Sequence, residues 1–172
     1  MASVPPSFRI EPLDSSRHDR ANFECGVEAL VRYLKTHAAQ DMRRKASAVF
    51  VMVALDAPRQ IAGYFTLSAT ALAQTDVPEA ARRHILRYPL VSATLIGRLA
   101  VAEERQGQGL GAILLASALR KAYDNADVVG SSMVVVDAID EHAVRFYEAH
   151  GFIRLPESMR LIIPMRALGG AR

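Results

Sequence analysis

The sequence predicts an α+β fold, a mixed sheet carrying helices on its faces. Short runs of β-branched and apolar residues alternate with amphipathic stretches of helical period. They follow the order strand, helix, strand, strand, short helix, strand, helix, strand, helix, strand, strand, which suits a layered mixed sheet. Between Leu95 and Ala126 a strand, a glycine-bearing loop and a long amphipathic helix succeed one another.

Phe8 to Leu13 forms an opening strand after Pro5-Pro6. Glu24 to Lys45 is expected to be helical, with Val27, Leu30, Val31 and Leu34 on one face and a break near Thr36-His37. Ala48 to Leu55 and Ile61 to Ala71 read as a hairpin about the turn Asp56-Ala57-Pro58-Arg59. Val77 to Leu86 fits a short helix with Pro78 in its first turn, ended by Tyr88-Pro89. Val91 to Val101 is a buried-type strand, and a helix runs from Leu110 to about Ala126. Ser132 to Val136 is a central-type strand. Asp140 to His150 is a helix, with Asp140 as N-cap and Gly151 as C-cap. Phe152 to Leu155 and Arg160 to Pro164 pair as a last hairpin, and Gly169 to Arg172 is expected to fray.

At 172 residues, half of them apolar, the chain is expected to be one domain, 1–172, with a sizeable core. No apolar run is long enough to span a bilayer and the N-terminus lacks a signal-peptide pattern, so a cytoplasmic location is expected. Cys25, the single cysteine, cannot close an internal disulfide and reads as a small buried hydrophobe. The five histidines show no metal-ligand spacing, and no metal is expected. A net charge of +3 permits an anionic partner without requiring one. Arg43-Arg44-Lys45 and Arg82-Arg83 with Arg87 are the local basic clusters; by composition alone they read as solvated helix faces.

The loop Gln106-Gly107-Gln108-Gly109-Leu110-Gly111 is the candidate functional site. Glycines before a helix let the backbone close around a ligand and aim free N–H groups at one point. Together with the positive end of the helix dipole, they suit phosphate or pyrophosphate. A P-loop would need Gly-Lys-Ser/Thr, and Gly109 is followed by Leu110-Gly111. Gly107, Gly109 and Ala112 fit a dinucleotide fingerprint, with Asp137 ending the next strand. Yet Ala102 to Gln106 separate strand from glycines, and only 35 residues follow Asp137.

Gln106-x-x-Gly109-x-Gly111 matches the Q/R-x-x-G-x-G/A signature of GNAT acetyltransferases, and Ala143-x-x-Phe146-Tyr147-x-x-x-Gly151-Phe152 matches that superfamily's A-x-x-F-Y-x-x-x-G-F ending. Phe23-x-Cys25-Gly26, Ile61 to Ser68, Gly97 to Val101 and Arg160 to Met165 extend the resemblance over residues 8 to 168, to the GNAT toxins of bacterial toxin–antitoxin pairs. The resemblance implies the GNAT fold, a mixed, mostly antiparallel twisted sheet with helices on both faces. It also implies acetyl transfer from acetyl-CoA to the α-amino group of aminoacyl-tRNA, blocking translation. A ribbon-helix-helix antitoxin and a homodimer are the implied partners. The alternative is an ordinary GNAT enzyme acting on a small amine or a protein N-terminus. A non-catalytic GNAT-like module that holds coenzyme A or a protein partner is a third reading, and the intact Tyr147 and glycine loop argue against it.

On that resemblance the amides from Gln106 to Gly111 hold the pyrophosphate, and backbone groups of Leu99, Ala100 and Val101 pair with the pantetheine arm. Tyr147 is the expected general acid, since a phenol stays protonated at neutral pH. Glu103 and Glu104 read as surface charges, leaving no clear base. An aminoacyl α-amine, less basic than a chain terminus at about 7.7–8.0, needs none. Lys35, Arg43, Arg44, Lys45, Arg82, Arg83 and Arg98 are the expected tRNA-phosphate contacts.

Overall fold

The computed structural model describes residues 2–82 and 88–169. Its strands are β1 (Phe8–Pro12), β2 (Ala48–Ala54), β3 (Ala57–Ala73), β4 (Leu90–Val101), β5 (Met133–Asp137), β6 (Ile153–Arg154) and β7 (Arg160–Pro164). Its helices are α1 (Glu28–Thr36), α2 (Ala38–Arg43), α3 (Glu79–Arg82), α4 (Leu110–Asn125), α5 (Glu141–Ala149) and α6 (Met165–Leu168). The seven strands form one sheet in the order β1-β2-β3-β4-β5-β7-β6. Among the pairs with a stated register, only β4 with β5 is parallel, which is the mixed, mostly antiparallel sheet the sequence led us to expect. By contact the chain divides into two compact units, Met1–Ser68 with Arg98–Ala118, and Ala69–Gly97 with Leu119–Arg172.

In the first unit, strand alternation turns Val49, Val51 and Val53 of β2 toward one side. There they join Ile61 and Tyr64 of β3, and Val31, Tyr33, Leu34 and Ala38 of the first two helices, in one apolar cluster. The Tyr64 hydroxyl donates to the Leu30 carbonyl at 2.6 Å, tying α1 to the sheet. On the other side, Gly63 lets α4 come close: a Cβ there would lie 2.7 Å from Leu114 Cδ1 and 2.8 Å from the Ala100 carbonyl. Helices therefore cover both faces of this part of the sheet.

The helix expected from Glu24 starts only at Glu28, because Gly26 holds φ at +86° and bends the chain before it. It breaks at His37, as expected, and ends by Lys45, which itself takes φ +61°. β3 is longer than expected: the hairpin turns at Leu55-Asp56, and Pro58 lies within the strand beyond a register shift.

In the second unit, β5 has Met133 to Val136 fully buried, the near-continuous apolar run of a strand covered on both sides. Its parallel ladder with β4 runs from Ala93↔Met133 to Ile96↔Val136. Asp140 caps α5 as expected, its Oδ1 accepting the Ala143 N–H at 2.8 Å. Gly151, at φ +94°, follows the helix end. β6 is shorter than the expected strand Phe152 to Leu155. Three pieces had no clear sequence signal: α6, whose Met165 and Leu168 are buried, and 3-10 turns at Gln74–Asp76 and, in the first unit, Glu103–Arg105. The short helix expected over Val77 to Leu86 is seen as Glu79–Arg82; residues 83–86, like Gly170 to Arg172 of the tail, lie outside the described residues.

Candidate active site

β4 outruns its ladder with β5. Pairing stops at Ile96, whereas the strand continues to Val101, so the stretch from Gly97 to Val101 has no register partner in β5. Leu99, Ala100 and Val101 lie in that free stretch, which suits an extended ligand arm that adds as a strand.

The chain then makes the Glu103–Arg105 turn and reaches the glycine loop. Gly107 and Gly109 hold φ at +81° and +78°, a left-handed conformation that side chains resist, and a Cβ on either would point into open space. The loop is thus built for a close approach from outside, not for packing within. Among the described residues, the N–H groups of Gly107, Gln108 and Gly109 donate to no protein acceptor. Leu110 and Gly111 begin α4, whose first-turn N–H groups also lack intrahelical partners. No acidic residue stands in that first turn to compete for the positive helix end. The chemistry of this donor set fits a diphosphate.

A hollow of about 420 Å³ near this loop is a poor alternative. Asp19, Glu24, Glu103 and Glu104 line it, and their charge repels an anion. Glu103 and Glu104 are exposed, as the sequence suggested.

Tyr147 lies in the second unit on α5, 8% exposed. Its ring packs edge-on against Phe146 and Phe152, at centroid distances of 5.2 and 5.4 Å. The Phe152 N–H donates to the Tyr147 carbonyl, so the helix and the chain after Gly151 both fix the residue. Its hydroxyl makes no hydrogen bond to a described residue. Burial pushes this phenol up to about 12.

The expected phosphate contacts divide. Arg43, Arg44 and Lys45 are exposed at the end of α2 and form no ion pair with a described residue. Arg98 lies flat on Tyr33, its guanidinium carbon 3.4 Å from the ring centroid, and the Tyr33 hydroxyl donates to Asp41 at 2.8 Å. Lys35 is paired with Glu24 at 3.2 Å, which offsets its charge. Arg82 donates to the carbonyls of Val77 and Thr75, holding the turn before α3. Arg83 and Arg87 lie outside the described residues.

Cys25 is buried, and burial pushes its thiol up, away from the reactive thiolate. His150 Nδ1 faces the Phe146 carbonyl at 2.8 Å, a helix-end contact. No cluster of metal-ligating side chains occurs among the described residues, and no described helix is long and apolar enough to cross a membrane.

A family model described as an acetyltransferase (GNAT) domain matches residues 45–154. The probable toxin TacT of Sinorhizobium fredii is 29% identical, over 98% of this chain and 97% of its own length. AtaT complexed with acetyl-methionyl-tRNAfMet superposes with a TM-score of 0.87 at 30% identity, covering 95% of this chain and 98% of that one. A Tyr-to-Phe variant of AtaT, bound to the C-terminus of its antitoxin AtaR and acetyl-CoA, gives 0.81 at 28% identity, over 96% and 98%.

Proposed function

This chain belongs to the GNAT acetyltransferase family, and from that membership we propose that it is a toxin which acetylates the α-amino group of aminoacyl-tRNA and so blocks translation. The observation that carries this reading is its likeness, along nearly the whole chain, to AtaT holding acetyl-methionyl-tRNAfMet. Acetyl-CoA supplies an activated acyl thioester. In the reaction an N–C bond forms, the C–S bond breaks, one proton leaves nitrogen and one reaches sulfur.

Each step asks something of this chain. The amides of Gly107, Gln108, Gly109, Leu110 and Gly111 bind the diphosphate, whereas the Gln106 N–H, also expected there, donates to the Glu103 carbonyl at 3.3 Å. Backbone groups of Leu99, Ala100 and Val101 align the pantetheine arm, and an N–H from this stretch can hold the carbonyl oxygen as charge gathers on it. The Tyr147 hydroxyl gives the departing sulfur its proton and takes one back from the amine nitrogen. Arg43, Arg44 and Lys45, with Arg98, draw the tRNA phosphates; Lys35, Arg82 and Arg83 are weaker candidates. The toxin acts in the cytoplasm, is neutralised by a ribbon-helix-helix antitoxin and forms a homodimer.

The test is mass spectrometry of charged tRNA after incubation with the protein and isotopically labelled acetyl-CoA. The reading expects labelled acetyl on the aminoacyl nitrogen. Label appearing only on small amines or protein N-termini would make the chain an ordinary GNAT enzyme.

A further inference from the structure

Phe23-x-Cys25-Gly26 stands out in the sequence, yet the reaction as described does not use it. The structure shows where it goes. The side-chain amide of Gln106 donates to two carbonyl oxygens, that of Cys25 at 3.0 Å and that of Val101 at 3.1 Å. Both partners are acceptors, so the NH₂ end of the amide must face them. One side chain at the head of the glycine loop thereby fastens that loop to the end of β4 and to the segment entering α1.

Neighbouring contacts hold the same junction. The Glu103 N–H donates to the Glu24 carbonyl at 2.8 Å, and the Ala102 N–H to the Ala62 carbonyl at 2.8 Å. Gly26 takes φ +86°, and a Cβ on it would lie 3.3 Å from Glu103 Oε1. Phe23 is buried and packs edge-on against Tyr64 at 5.6 Å, anchoring the far end of the segment in the core.

We propose that the Gln106 side chain is a positioning residue for acetyl-CoA: it latches the glycine loop to the Cys25 and Val101 carbonyls, holding the loop's free N–H groups convergent on one diphosphate. This rests on the reading that the loop binds that diphosphate. Without the latch, each encounter must first order the loop, and affinity falls. The latch acts on the loop's shape; its two donors are already committed to protein carbonyls.

The experiment is titration of the full-length protein with acetyl-CoA, alongside steady-state kinetics on charged tRNA. Gln106→Glu keeps the size but offers carboxylate oxygens to two carbonyls. Gln106→Arg keeps N–H donors. The glutamate variant should raise the Kd and KM for acetyl-CoA about tenfold, the weight of two ordinary hydrogen bonds. Its kcat and its KM for charged tRNA should stay within about twofold, a split that general loss of fold does not produce. The arginine variant should bind acetyl-CoA within about threefold of the parent, with an unchanged salt dependence.

Gly109→Val separates the latch from its premise. If it loses acetyl-CoA binding while Gln106→Glu binds as the parent does, the latch is wrong and the loop reading stands. If both bind as the parent does, the loop reading falls and the latch with it. A folded Gln106→Arg that binds tenfold worse overturns the latch even where the glutamate variant fails to fold. An arginine variant that binds tighter, with a steeper salt slope, places residue 106 on the diphosphate itself and also overturns it.

Discussion

A phenol shielded from water gives up its proton reluctantly, and burial puts Tyr147 at about 12. Such a group is not ionised at rest in neutral solution, so it enters the reaction as a proton donor and can accept a proton only after giving its own away. Tyr147→Phe keeps the ring against Phe146 and Phe152 and removes only the hydroxyl. It should lower kcat about a hundredfold, the usual weight of a positioned acid, and leave the acetyl-CoA Kd unchanged. The pH profile adds a signed test. For the proposed acid the working form is protonated, and it persists as pH rises until the raised pKa is approached. Below about pH 11 the parent should therefore show no alkaline loss of kcat from this group. Unaltered turnover in the phenylalanine variant would assign the proton to another donor. That Tyr147 stands on a helix was legible in the sequence, because Asp140 and Gly151 mark the ends of α5. The fates of Lys35 and Arg82 were not, since their partners are Glu24 and two backbone carbonyls, and no periodicity encodes those.

Elements were legible where one local rule sufficed. The hydrophobic period located α4 and the run Met133 to Val136 located β5, while Asp140 fixed the start of α5. The start of α1 was not, because a single φ at Gly26 overrides the helical pattern that begins at Glu24. The approach of α4 to β3 was equally hidden: Gly63 sits among good strand formers, and its reason lies in Leu114 and Ala100 far along the chain. Gly63→Ala should accordingly destabilise the protein. The new methyl would meet a backbone carbonyl at 2.8 Å as well as a leucine methyl at 2.7 Å, and backbone yields less easily than a side chain. Overpacking of this kind costs on the order of 1–3 kcal/mol, read as a lower denaturant midpoint at unchanged m-value. A variant as stable as the parent would mean that strand and helix are not held at that separation.

At the scale of the whole molecule, strand order was the least legible property. Nothing local says that β7 inserts between β5 and β6, or that β4 and β5 run parallel and pair only as far as Ile96. The charge balance was legible but undirected. A formal +3 is small for a partner of nucleic acid, so any such binding must come from where the charges stand. Arg43, Arg44 and Lys45 are consecutive, exposed and without an ion pair to a described residue, whereas Lys35 and Arg82 are already engaged. If the first three meet tRNA phosphates, the KM for charged tRNA should climb steeply with salt. Replacing all three by alanine should raise that KM at low salt and flatten its dependence on log salt, by about one unit of slope for each phosphate no longer neutralised. The KM for acetyl-CoA serves as the internal control, because the glycine loop proposed to bind it would do so through backbone N–H groups that these substitutions leave in place. A triple variant with the parent's salt slope would remove this patch from the tRNA interface. A parallel rise in the acetyl-CoA KM would show instead that the substitutions had disturbed the fold.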